Sequence, residues 1–214
     1  EDLAPGTDLA DGVEDNWGTA RITSINDGDS PTTYWGDAQP GQVTAMFWGL
    51  DIKDVTGNGD GGFNFNLAKT ADAGLGLWWD DTDDYAYGSP GDRTAPNGFP
   101  TVTDGTPLVE FDWTSGILPG DPDTVVRGSI DGLSDPVGGE AKGYLSVVEG
   151  SGPWASPLDT NGFAGGNADI FLQNDFRSTS LTPGNGDDAW ALDSDDPTLA
   201  TIPLPGTLNL LAMG

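Results

Sequence analysis

The sequence predicts an all-β protein, an antiparallel two-sheet β-sandwich or jelly roll with long Gly/Asp-rich loops. Three observations predict it. Short apolar runs alternate with a period of two residues. No segment sustains an apolar helical period. The runs are separated by turn-formers, 33 Gly and 16 Pro in 214 residues, without a collagen-like repeat. This length suits one sizeable domain, placed at 17–200 between an arm (1–16) and an apolar tail (201–214). Hydrophobic residues are sparse at 36%, and eight Trp and eight Phe compensate through the area each buries.

The elements follow in order. Residues 1–16 are polar and turn-rich, and 17–25 (WGTARITSI) alternate as a strand. A loop with two aromatics leads to QVTAMFWGLDI (42–52), apolar on both faces and therefore central. KDVTGNGDGG reads as a long loop. FNFNLA (63–68) and GLGLWW (74–79) alternate as two strands, with a helical turn near 70–73 between them. Residues 80–107 read as a long loop, the kind that is functional or tied by ions. LVEFDW (108–113) turns Val109, Phe111 and Trp113 inward. TVVRGSI (124–130), KGYLSVVEG (142–150) and ADIFLQNDF (168–176) complete the set.

Charge narrows the function. There are 35 acidic and 7 basic residues, a net charge of −28, and 30 of the acids are Asp. Short carboxylates beside Gly, Asn and Ser form turns or bind cations. The basic residues are scattered, so nothing meets the phosphates of nucleic acid or an anionic membrane. His and Cys are absent, which removes the Ser-His-Asp triad, the usual zinc ligands and thiol chemistry.

The candidate cation ligands lie in five clusters: Asp54, Asn58 and Asp60; Asp80, Asp81, Asp83 and Asp84; Asp121 and Asp123; Asp187 and Asp188; and DSDD at 193–196. None is an EF-hand, because position twelve counted from Asp54 is Phe65. Each cluster alone reads first as a solvated turn. Together they lead us to expect Ca²⁺ at one or more.

EFDWT (110–114) sets Glu110 and Asp112 on one strand face. Laminarinase-like glycoside hydrolases carry E-x-D-x-E there, but the third position here is Thr114. A hydrolase would need a second carboxylate from elsewhere, such as Glu140 or Glu149, and no enzymatic activity is expected. The aromatics Trp35, Trp78, Tyr85 and Tyr87 either stack on sugar rings or cover the core under long loops. Trp78 is out of phase with Trp79, so one of the pair faces away from the main core.

The tail, TIPLPGTLNLLAMG, is too short to span a bilayer. It either completes the chain's own sandwich, docks on a neighbouring subunit, or is the stub of a cut anchor. Ile202, Pro203, Pro205, Thr207, Leu208, Leu210, Leu211 and Gly214 resemble the start of a PEP-CTERM sorting signal, with Leu204 as in the VPLPA-type variant. The full signal continues into a membrane helix and a basic cluster. The body is similar to an uncharacterised exported β-rich family carrying this signal, through WGTARITSI, QVTAMFWGLDI, FPTVTDGTPLVEFDW, GDPDT, GYLSVVEGSGPWASPLDTNGF and ADIFLQNDF. The resemblance implies export in a Gram-negative bacterium to the cell surface or exopolysaccharide matrix, with a processed mature form free of the membrane.

The expectation is an extracellular structural protein stabilised by calcium. It would self-assemble by strand addition through Ile202, Leu204, Leu208, Leu210 and Leu211. The alternative is a calcium-dependent, lectin-like module that binds matrix polysaccharide.

Overall fold

Among the described residues the alternating runs become eleven strands. The computed structural model describes residues 9–26, 33–36, 40–86, 88–132, 138–163, 168–178, 192–193 and 199–201. The strands are β1 (Asn16–Ile22), β2 (Ser24–Asn26), β3 (Thr33–Gly36), β4 (Gln42–Gly57), β5 (Phe63–Asp80), β6 (Thr106–Thr114), β7 (Val126–Ile130), β8 (Gly138–Val147), β9 (Ile170–Ser178), β10 (Leu192–Asp193) and β11 (Leu199–Thr201). Helical structure among the described residues is one short helix, α1 (Ala155–Leu158), and a 3-10 turn at Pro90–Asp92.

Every strand pairing is antiparallel. One path runs β1-β4-β5-β6-β8-β9-β10, while β2 and β3 form a separate hairpin. β6 and β7 lie end to end between β5 and β8. β5 pairs β7 through 63–67 and β6 through 75–79. β8 pairs β7 through 139–143 and β6 through 144–147. The main sheet is therefore a meander in which each strand position follows its neighbour in sequence.

A crease crosses this sheet. At Gly49 β4 takes φ 75°, and its register with β5 jumps from Trp48↔Gly74 to Leu50↔Lys69. The break between β6 and β7 falls at the same level. Both arms of the creased sheet feed one core. Val43, Val109 and Phe111 come from one arm and Leu50, Leu67 and Val126 from the other, with Leu145, Ile170 and the α1 residues Ala155 and Leu158 between them. The all-β sandwich is thus continuous in its hydrogen bonding, with its layers drawn from one bent sheet. Each large side chain so buried stabilises by roughly 1.5–3 kcal/mol.

The opposite face of β4 is also apolar. Met46 and Trp48 are covered by Phe99 and Val102 from the β5–β6 connection, with Trp17, Trp78 and Tyr85 packed alongside. The long loop is a lid on a second, smaller core. Elsewhere Asp169, 2% exposed, accepts backbone N–H bonds from Val147, Thr160 and Asn161 at 2.6–2.7 Å. That carboxylate fastens the α1–β9 connection to β8.

Three local expectations are corrected. Residues 70–73 are not a helical turn, because β5 runs unbroken from 63 to 80. They are the surplus of the register jump, held where the Trp48 indole N–H donates to the Asp72 carbonyl. The loop expected from residue 53 narrows to 58–62, since pairing continues to Gly57↔Phe63. The strand expected over 17–25 divides at Thr23, where the chain leaves β4 for the β2–β3 hairpin.

The crease makes a prediction. A Cβ at Gly49 would stand 2.5 Å from the Ala73 Cα, on a backbone that side chains rarely adopt. Gly49→Ala should destabilise the fold by about 1–3 kcal/mol in denaturant titration. Gly57→Ala, whose Cβ meets nothing within 4 Å, should stay within about 0.5 kcal/mol of the parent. Equal effects at the two positions would contradict a crease hinged on Gly49.

Candidate functional site

β5 ends on Asp80, and β6 begins just after Asp104. The register Trp79↔Thr106 brings these two residues to the same end of the sheet. Asp84 joins them from the loop between. One carboxylate oxygen from each of Asp80, Asp84 and Asp104 lies within 4.8 Å of the others. Gln42, opposite Asp80 in β4 and fully buried, organises the group. Its amide donates to Asp84 Oδ1 at 3.0 Å and Asp80 Oδ2 at 3.4 Å, and its carbonyl accepts from the Tyr85 N–H at 3.1 Å.

The environments of the three carboxylates differ. Asp80 Oδ1 accepts from the Thr82 N–H and hydroxyl at 2.9 and 2.8 Å. The Thr82 N–H, aided by the hydroxyl and Gln42, holds Asp80 below the usual carboxylate range. Asp84 is pushed up, first by burial and then by the charges of Asp104 and Asp80. The opposite shifts favour a proton on Asp84 over one on Asp80, and a hydrogen bond between the two carboxyls contributes to both. When ionised, the trio presents three hard oxygen donors close enough together to hold a metal ion.

The other expected ligands are dispersed. Asp54 belongs to β4, not to a glycine loop, and its Oδ1 accepts from Asn66 Nδ2 across the pair at 2.9 Å. Asn58 closes its own turn by accepting from the Asp60 and Gly62 N–H groups at 3.0 Å, and Asp60 is exposed. Asp81 is exposed, and Asp83 meets Arg21 Nη2 at 3.1 Å. Asp121 accepts from Lys53 Nζ at 2.6 Å and the Thr124 hydroxyl at 2.9 Å. The bond to Lys53 is the main reason its pKa is lowered. Asp123 stands 3.9 Å from the same ammonium. Asp187 and Asp188 lie outside the described residues, as do Tyr87, Ile202, Leu204, Leu208, Leu210 and Leu211.

Among the aromatics, Trp35 lies in β3 opposite Ile25. Trp79 packs on the main core and Trp78 on the second, so the pair does divide between faces. The Trp78 ring fills the space that a side chain at Gly76 would need. Trp78 and Tyr85 are thus drawn into the lid contact rather than into a common open platform. Glu110 points outward, and Asp112 binds Lys69 Nζ at 2.6 Å. Glu140 is paired with Lys142 at 2.7 Å.

Sequence reasoning missed Asp104 and Gln42. Asp104 is separated from Asp80 by the whole connection, and only β5–β6 pairing joins them. Gln42 looks like an ordinary first residue of a strand. Comparison with protein-family models, curated proteins and solved structures finds no match for this chain. Among the described residues no helix is long and apolar enough to cross a membrane.

The shifts predict how stability follows pH in EDTA. Asp80 and Asp121, lowered when folded, contribute stability that is complete above the unfolded carboxylate pKa of about 4. It is lost as pH falls through their folded values. Asp84 and the buried Asp51 are raised, so their ionised forms are disfavoured in the fold, and stability returns as pH falls through their folded values. The melting temperature should rise as pH drops from neutral towards the unfolded carboxylate pKa of about 4, then fall below it. Asp84→Asn should flatten the rise. A melting temperature that falls steadily from neutral pH would contradict this assignment.

Proposed function

We propose that the chain is an exported structural protein of a cell surface or biofilm matrix, ordered by calcium and assembling with copies of itself. The observation that carries the reading is the carboxylate trio Asp80, Asp84 and Asp104, set at one end of the sheet in a chain whose net charge is −28. A chain this acidic repels itself until counter-ions gather, and a divalent ion held by three carboxylates would relieve the repulsion among them.

Assembly is supported by the sheet edge. β10 and β11 have two and three residues and pair with β9 among the described residues. The apolar tail from Ile202 follows β11 directly in the chain. A strand continuing from that edge can extend a neighbour's sheet, gaining main-chain hydrogen bonds and apolar burial together. A head-to-tail contact of this kind does not close and gives filaments.

Size-exclusion chromatography with light scattering, in calcium and in EDTA, tests the proposal. Large assemblies are expected in calcium and smaller species in EDTA. Asp84→Asn with Asp104→Asn should remove the calcium dependence, and deleting 201–214 should abolish the assemblies. A monomer under both conditions would sink the structural reading.

A further inference from the structure

Three aromatic rings gather on the face of the sheet turned away from the main core. Leu145 in β8 and Ile170 and Leu172 in β9 pack on that core. Alternation therefore turns Tyr144 and Phe171 to the opposite face, where the β8–β9 register sets them side by side. Phe163, from the connection between α1 and β9, joins them. The ring centroids of Tyr144 and Phe171 are 5.4 Å apart, those of Tyr144 and Phe163 6.0 Å, and those of Phe163 and Phe171 6.5 Å. None of the three rings belongs to either apolar core of the described residues, and each is half-buried. Polar positions flank them on the same face: Thr114 opposite Tyr144, and Lys142 opposite Gln173 two residues along. An apolar centre within a polar rim is the anatomy of an interaction surface.

The chain itself supplies an occupant of matching chemistry. β11, whose last residue Thr201 lies opposite Phe171, delivers residues 202–214 beside the trio. That segment includes Ile202, Leu204, Leu208, Leu210, Leu211 and Met213 and carries no charged side chain, in a chain whose net charge is −28. Burying such side chains is favourable wherever an apolar surface is offered. The antiparallel register carries the chain past the start of β9 rather than back along it. Ile202 and Leu204 each precede a proline, which favours extended backbone at both. At about 3.1 Å per residue, IPLP spans roughly 12 Å before Gly206 permits a turn. The leucines beyond it are set away from their own trio and presented to a neighbouring copy.

We propose that Tyr144, Phe163 and Phe171 form the acceptor for the C-terminal segment 202–214 of a second copy of this chain. The inference rests on the self-assembly proposed above and names the surface it uses. Leu208, Leu210 and Leu211 pack on the trio, so apolar burial accompanies main-chain pairing. Each copy then offers one donor and one acceptor. The contact passes from head to tail and stays open at both ends.

A peptide of residues 199–214, labelled at its N-terminus and titrated with the full chain in EDTA, tests this by fluorescence anisotropy. Saturable binding of one peptide per chain is expected. Phe171→Ser and Phe163→Ser should each weaken it about tenfold or more. Phe163 lies outside the strands and carries the test if Phe171→Ser fails to fold. Leu208→Ser, Leu210→Ser and Leu211→Ser together in the peptide should abolish binding, while Asp84→Asn in the chain should leave it unchanged. No binding to the wild type would overturn the acceptor. Binding only to a chain lacking 201–214 would overturn it too, since each tail would then cover its own trio. So would undiminished binding by the Phe171→Ser and Phe163→Ser chains. Light scattering in calcium separates this inference from the proposed function. Assembly without peptide binding removes this acceptor alone, and peptide binding without assembly keeps the acceptor and removes the filament.

Discussion

The β4–β5 hairpin is the constraint on which the rest depends. β4 is apolar on both faces, so neither face can be left to water. One face takes the main core, built around Val43, Val109 and Phe111. The other carries Met46 and Trp48 and, among the described residues, is covered by a connection rather than by a second sheet. The long β5–β6 connection answers that need by bringing Phe99 and Val102 down as a lid. The crease at Gly49 follows from the length of the hairpin. Strands of 16 and 18 residues would otherwise run past any core they could cover, and bending lets both arms face the same apolar interior.

The lid is held by few side chains. Arg93 lies over the Trp17 ring at 4.5 Å, pairs with Glu14 and donates from Nε to the carbonyls of Ala95 and Pro96 at 3.1 Å. Its side chain is 17% exposed and that of Glu14 is 20% exposed, so this pair is shielded far better than the ordinary surface ion pair. It joins three pieces distant in sequence: the arm, the β4 crease through Gly49, and the lid. Breaking it would leave a half-buried charge without its partner, a larger loss than the pair's own net attraction.

The acidic excess shapes the surface differently. The described ion pairs bring Arg21, Lys53, Lys69, Arg93 and Lys142 each to a carboxylate. With 35 acids and 7 bases, most carboxylates have no cation of the chain to meet. Some turn to backbone N–H groups, as Asp169 does with three. Others remain beside one another, as at Asp80, Asp84 and Asp104.

By itself the sequence determined the class of fold and the inward residues of most strands. Period-two alternation is a local property, and the burial of Val109, Phe111 and Trp113 could be read from it directly. It also determined the acidic character, the lack of His and Cys, and the division of Trp78 from Trp79. Only the tertiary structure decided where strands end and which carboxylates meet. Asp54 looked like a loop ligand because glycines follow it, yet cross-strand pairing carries β4 beyond it to Gly57. Asp104 looked like a turn residue, yet β5–β6 register sets it against Asp80. Nothing in the local pattern around Asp51 shows that the arm closes over it, leaving it 2% exposed with its carboxylate on the Gly12 N–H. Pairing and burial join residues distant in sequence, and local pattern carries no record of which distant segment will arrive.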